Sequence, residues 1–234
     1  MKNDQKHIAL LYFSRSPLAE SRHKRFVNRD SSKNRQVADL LVSQSLKHVE
    51  NSGLPYFLFD ETRQKGDTFG ERLTNAFDEL FKKGFDGVIA VGNDCPGLGS
   101  VNWELITQIM KQNRPVLGPT PDGGSYLIGL TRESFHNDSF RQIPWKTRNV
   151  HQSLCKYLKS GGFDLYEIDA QRDINKFDDL LYFLKTRFTG ILKHFKELLK
   201  NLFRSLLQVC HLSCSPQSQS LCVYTSRPPP LLLY

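Results

Sequence analysis

The sequence has no run of about 18 uninterrupted apolar residues, and this excludes a helix that spans a bilayer. Its start, MKNDQKHIALLYF, carries an apolar run too short and too interrupted for a signal peptide, so a cytoplasmic protein is expected. No G-x-x-x-x-G-K-[ST] occurs, which excludes a P-loop, and no G-x-G-x-x-G follows the first apolar run, which argues against a dinucleotide fold. Cysteine is sparse and odd in number, five in all (Cys95, Cys155, Cys210, Cys214, Cys222), so reduced thiols are expected rather than a disulfide framework. The cluster Cys210-His211, Cys214 and Cys222 matches no zinc-finger spacing, and its Ser/Gln/Pro surroundings offer little to fold around a metal. Acidic residues are nearly missing from the C-terminal part. Residues 186–234 hold six Lys/Arg against Glu197 alone, so +5 of the net +8 sits there and argues against nucleic acid as the main partner.

What is present is an ordinary globular composition, 39% hydrophobic over 234 residues, enough to bury a core without staples. The apolar runs at residues 8–13, 54–59, 88–91, 115–117, 126–130 and 165–168 read as strands. Between them, residues 34–50, 69–83, 102–111 and 150–159 carry helical spacing, and a last helix begins at Phe177. Strands alternating with helices predict an α/β sandwich with a mostly parallel sheet and helices on both faces. The expected division is a domain over 1–185, a basic amphipathic helix over 186–209, and a disordered tail over 210–234.

Four segments carry candidate chemistry. The stretch after the first strand holds Arg15, Arg22, Lys24, Arg25, Arg29, Lys33 and Arg35 within 21 residues, suited to a phosphate-bearing ligand or to a solvated charged loop. Asp94, in Gly92-Asn93-Asp94-Cys95-Pro96-Gly97 at a strand end, suits a hard divalent cation or a turn cap. Asp122-Gly123-Gly124 precedes another strand, where glycines permit close backbone approach of a ligand or simply make a turn. Asp67 or Thr68 can cap the helix that follows, while Arg72 in its first turn can reach a phosphate.

Together and in this order, GDTFGERLTNAF, GNDCPGL, VLGPTPDGGSYLIGL, IPWKT and RDINKFDDL resemble a family of bacterial transferases of unknown function. These are the radical-SAM/selenodomain-associated, glycosyltransferase-like proteins of the nucleotide-diphospho-sugar transferase superfamily, and the resemblance covers roughly residues 7–185. It implies a GT-A-like, Rossmann-like fold and a metal-dependent transferase using a nucleotide-sugar or nucleoside triphosphate donor, with an acceptor that is not defined. Asp94 is implied as a catalytic residue and a ligand for Mg²⁺ or Mn²⁺, with Asp173 as a second metal contact. Asp122 is implied to orient the acceptor or serve as base. Arg15, Lys24, Arg25, Arg72, Gly123 and Gly124 form the expected nucleotide and phosphate set.

The chain departs from the family pattern at several positions. Glu20 replaces a glycine, His23-Lys24-Arg25 replaces lysine-threonine-arginine, Ser125 stands at a usual tyrosine and Asn175 at a usual aspartate. These changes, with the basic helix, motivate an alternative: a non-catalytic nucleotide-binding or membrane-associated scaffold. In it, Phe188, Ile191, Phe195 and Leu202 of 186–209 lie on an anionic membrane, or pack on the domain or on a second copy as a homo-oligomer.

Overall fold

The computed structural model describes residues 6–27 and 30–212. Strand β1 (Ile8–Phe13) is almost wholly buried, as its unbroken apolar run requires. Its side chains alternate between the two sheet faces: Ala9 and Leu11 enter one core cluster, Ile8, Leu10 and Tyr12 the other. Parallel neighbours β2 (Tyr56–Phe59) and β3 (Gly87–Val91) flank it, with Leu10 opposite Tyr56 on one side and Ile89 on the other. Beyond β3 lie β5 (Ser125–Thr131), β4 (Val116–Pro119) and the short edge strand β6 (Tyr166–Glu167). Strand β5 runs antiparallel to both its neighbours, and the other five strands share one direction.

Helices cover both faces. Leu73, Phe77 and Leu80 of α3 (Phe69–Lys82) share the first cluster with Leu154 and Leu158 of α6 (Val150–Ser160). Ile106, Ile109 and Met110 of α4 (Trp103–Lys111) close the opposite face together with Val49 from the end of α2 (Ser31–Glu50). These helices and strands agree with the periodicity of the sequence.

Two differences from the sequence expectation matter. The basic stretch after β1 is not wholly a loop, because α1 (Pro17–His23) forms there with Ser16 as its cap and Pro17 in the first turn. It has no apolar stripe to announce it, and its buried residue is Glu20. The terminal helical pattern is also broken in two. Helix α7 (Phe177–Lys185) ends at Thr186 in an extended conformation, and α8 (Gly190–Leu212) restarts at a glycine with φ +56°. Phe183 stacks on Phe188 (4.6 Å) and meets Phe195 edge-on (5.6 Å). Phe195 and Leu199 are buried with Val37, Leu41, Ile174 and Leu180 in a third cluster. Phe195, with the partly buried Phe188 and Leu202, thus packs on the domain, one of the alternatives expected for this helix, while the Ile191 side chain lies outside those described. No helix among the described residues is long and apolar enough to cross a membrane. The tail from residue 213, within the segment expected to be disordered, lies outside the described residues.

An aromatic cluster orders the segment before α6. Phe140 packs on Phe77 (5.2 Å) and Trp145 (5.1 Å), and Trp145 reaches Phe69 (5.6 Å) while its Nε1 donates to the Phe140 carbonyl at 3.2 Å. Gly70 makes this approach feasible, since a Cβ there would lie 2.5 Å from the Trp145 ring and 2.8 Å from the Arg141 carbonyl. Lys146 follows with φ 63° and extends toward the first turn of α3, its Nζ 5.8 Å from the Phe69 ring centroid.

Candidate active site

Because β1 and β3 are parallel neighbours, the residues that follow each emerge together at the carboxyl edge of the sheet, the usual place for ligands in open α/β folds. A cleft of about 300 Å³ opens there, near the lower end of the range for ligand pockets. Its walls bring together Arg15 from the end of β1, Lys24 from beyond α1, Arg72 from the first turn of α3, Asp94 after β3, and Asp173 before α7.

Lys24 is the centre of the charge network. Its Nζ lies 2.7 Å from Asp94 Oδ2 and 2.8 Å from Glu20 Oε1, while an Arg15 guanidinium nitrogen is 3.5 Å from Glu20 Oε2. Burial works against the Lys24 charge, but the carboxylates of Asp94 and Glu20 outweigh it and hold the ammonium above the ordinary lysine value. Two departures from the family pattern, Glu20 and Lys24, therefore pair with one another one helical turn apart.

Asp173 is held close to Asp94 by the backbone: the Ile174 N–H donates to the Asp94 carbonyl at 2.7 Å. Burial, then the charge of Asp94, pushes the Asp173 carboxyl well above its ordinary value, with Lys24 pulling the other way. Asp173 Oδ1 is buried without a hydrogen-bond partner among the described residues. Two adjacent carboxylates, one with an unused oxygen, form an all-oxygen donor set that fits Mg²⁺ or Mn²⁺. Free of such an ion, a carboxyl raised in this way favours its protonated form in the folded state. Its contribution to stability is complete below the unfolded value near 3.8 and declines as pH rises through the folded value. Asp173→Asn is accordingly expected to be more stable than the parent at neutral pH in chelator, with the gap closing as pH falls toward about 4. Melting curves across that range check this, and an Asn variant less stable than the parent at neutral pH contradicts it.

Several further lining residues, His23, Gln64, Asn93, Lys146 and Asn175, were not among the expected site residues, although His23, Asn93, Lys146 and Asn175 lie in the motifs and departures named above. Asn93 is buried and its Nδ2 has no acceptor among the described residues, a donor facing an otherwise provisioned cleft. The spacing of IPWKT held no signal for Lys146, whose place depends on the aromatic packing that seats Trp145. The Gln64 amide donates to the carbonyls of Ser14 and Phe59, both at 2.8 Å, tying the ends of β1 and β2 together.

Other expected residues stand elsewhere. Arg25 is exposed and outside the cleft lining. Arg72 lines the cleft, but its guanidinium also donates to the Asp67 carbonyl at 2.9 Å beside the Thr68–Glu71 capping box. Asp122, Gly123 and Gly124 do not line the cleft, although the charge of Asp122 contributes to the rise at Asp173. Asp122 Oδ1 accepts from the Thr120 hydroxyl. Gly123 adopts φ +89°, and a Cβ there would lie 1.9 Å from the Arg148 carbonyl. The close approach that this glycine permits is to the chain's own backbone.

Comparison with known proteins adds to this geometry. Residues 42–147 match a family described as "Uncharacterized protein conserved in bacteria (DUF2064)". Among solved structures the chain is similar to a "putative nucleotide-diphospho-sugar transferase" from Desulfovibrio desulfuricans G20. Identity is 20% and the TM-score 0.68, over 86% of this chain and 98% of that one. The two share a fold. The expected GT-A-like α/β architecture and the resemblance to nucleotide-diphospho-sugar transferases both agree with it. Lower similarity is found to Rv0371c from Mycobacterium tuberculosis H37Rv (12% identity, TM-score 0.46, 78% of this chain and 98% of that one). CMP:2-keto-3-deoxy-manno-octonic acid synthetase complexed with CTP scores lower still (12%, 0.38, 76% and 96%). No curated protein matches the sequence.

Proposed function

We propose that the chain is a metal-dependent transferase that takes a nucleotide sugar, or a nucleoside triphosphate, in the cleft at the carboxyl ends of β1 and β3. The observation that carries this reading is the meeting of Asp94 and Asp173 with Arg15, Lys24, Arg72 and Lys146 in one cleft. Four cations beside the carboxylates of Asp94, Asp173 and Glu20, the last paired with Lys24, suit a diphosphate held with a divalent ion, and suit a neutral or purely apolar ligand poorly.

Asp94 and Asp173 would hold Mg²⁺ or Mn²⁺, which supplies charge neutralisation of the diphosphate leaving group. Arg15, Arg72 and Lys146 bind the remaining phosphate oxygens, and the N-terminal turn of α3 adds its dipole to the same wall. Asn93 offers its unpaired Nδ2–H to a ligand oxygen. Lys24 keeps Asp94 and Glu20 in place and shields them from one another. Asp122, on the loop entering β5 and outside the cleft lining, keeps the role that the resemblance implies, orienting or deprotonating the acceptor hydroxyl. Glycosyl transfer is the preferred reaction, on the family resemblance.

A thermal-shift panel of nucleoside triphosphates and nucleotide sugars, each with Mg²⁺, Mn²⁺ or chelator, tests the proposal. A ligand that binds only the folded chain raises the melting temperature by mass action, about 2.7 kcal/mol of stabilisation at a hundredfold excess over Kd. A rise that needs both one donor and the metal is the expected result. Well-folded protein with no shift for any donor would replace the transferase with a non-catalytic scaffold.

A further inference from the structure

A second cluster of donor groups lies outside the cleft. His151 and Cys155 stand one turn apart on α6, and Glu167 closes the edge strand β6. His151 Nε2 is 2.8 Å from Glu167 Oε2 and 3.5 Å from Cys155 Sγ, and the three donor atoms all lie within 4.8 Å of one another. The other ring nitrogen, Nδ1, is 3.0 Å from the Ser125 hydroxyl. An ionised Glu167 only accepts, so its contact carries the Nε2 proton; loss of that proton, with Nδ1–H donating to the Ser125 oxygen, turns the Nε2 lone pair into the cluster.

This pattern distinguishes two kinds of chemistry. In a thiol–imidazole–carboxylate relay the thiol and the acid engage opposite ring nitrogens, so that a proton can be taken at one and the ring oriented through the other. Here sulfur and carboxylate converge on the same nitrogen, and a hydroxyl holds the far side. That is the arrangement of metal ligands with an outer partner fixing the imidazole.

We propose that His151, Cys155 and Glu167 form a three-ligand site for a borderline-soft divalent ion of the zinc class. Tetrahedral zinc with bonds of about 2.0–2.3 Å places its ligand atoms roughly 3.3–3.7 Å apart. The His151–Cys155 spacing already fits this, and the hydrogen-bonded His151–Glu167 pair opens by less than about 1 Å to match. Nitrogen, sulfur and oxygen donors together favour zinc over Mg²⁺ or Mn²⁺, which separates this site from the all-oxygen pair in the cleft. A thiolate and a carboxylate also balance the charge of a divalent ion. Glu167 is exposed while His151 and Cys155 are half-buried, leaving an entry path and a fourth position for water.

The site bears on the loop that carries Asp122. The His151 backbone N–H donates to the Gly123 carbonyl at 2.9 Å, and Ser125 ends the same loop. A metal on His151 clamps residues 122–125 from behind by immobilising both attachments, whatever the donor in the cleft.

The test uses the full chain carrying Cys210→Ser, Cys214→Ser and Cys222→Ser, so that tail thiols cannot contribute, and titrates the metal-free protein with Co²⁺ and then Zn²⁺. The expected result is one equivalent of Co²⁺ with a thiolate-to-metal charge-transfer band in the near ultraviolet, displaced by Zn²⁺. Cys155→Ser removes the band, Glu167→Gln weakens binding, and Ser125→Ala weakens it about tenfold or more through the imidazole orientation. The band persists in Asp94→Asn, whose substitution lies in the cleft. No stoichiometric binding, or a band unchanged by Cys155→Ser in protein with native circular dichroism, overturns the assignment.

Discussion

Lys24→Ala is expected to lower the melting temperature by roughly 6–12 °C, the largest stability effect of any single change in the cleft. The Glu20 side chain is only 2% exposed and Lys24 14%, so this ion pair is not a surface one that solvent screens. Removing one partner of such a pair leaves an uncompensated buried charge, typically a loss of about 3–5 kcal/mol. Arg15, 3.5 Å from Glu20, still faces the carboxylate in the variant and keeps the loss near the lower end. For a chain of this size each kcal/mol corresponds to about 2–4 °C. Adding Glu20→Gln to Lys24→Ala should restore more than half of the loss, because the orphaned charge then disappears. Calorimetry of both variants decides the matter, and a Lys24→Ala protein that melts with the parent contradicts the buried network.

Asp94→Asn is expected to weaken metal-dependent donor binding about 100-fold, equivalent to about 2.7 kcal/mol. The amide is close in shape to the carboxylate, and the Asp94 carbonyl that receives the Ile174 N–H is untouched, so the fold around β3 remains. What is lost is one of the two anionic oxygen donors proposed for the ion. Binding measured in chelator rests on Arg15, Arg72 and Lys146 and should change little. Titration calorimetry of the parent and variant with the donor from the thermal panel, with and without Mn²⁺, separates the two contributions. Equal affinities in the presence of metal would remove Asp94 from the proposed metal site.

Lys146 lies within the quoted IPWKT, yet nothing in that motif assigned it to the cleft, which it reaches because a distant element seats it. Lys146 is 52 positions from Asp94 in sequence, and it arrives through the Trp145 packing on Phe69 and Phe140. Arg25 shows the opposite case: it alone matches the family pattern in its triplet, yet it is exposed while the departing Lys24 turns inward. The donors of the second metal site were equally silent. His151 and Cys155 have a helical spacing that many surface pairs share, and Glu167 joins them only because β6 pairs with β4 at the sheet edge.

The sequence by itself determined the alternation of strands and helices, because apolar periodicity is local and each element announces which face it buries. Unbroken apolar runs made β1 and β3 central strands, and the turn residues after them placed Asp94 at a strand end. Only the tertiary structure decided which charges meet. Lys24 and Asp94 are 70 positions apart, and their 2.7 Å contact exists because β1 and β3 are parallel neighbours with their carboxyl ends at the same edge. The energy of an ion pair depends on separation and burial, and both are set by strand order and helix packing rather than by any spacing along the chain.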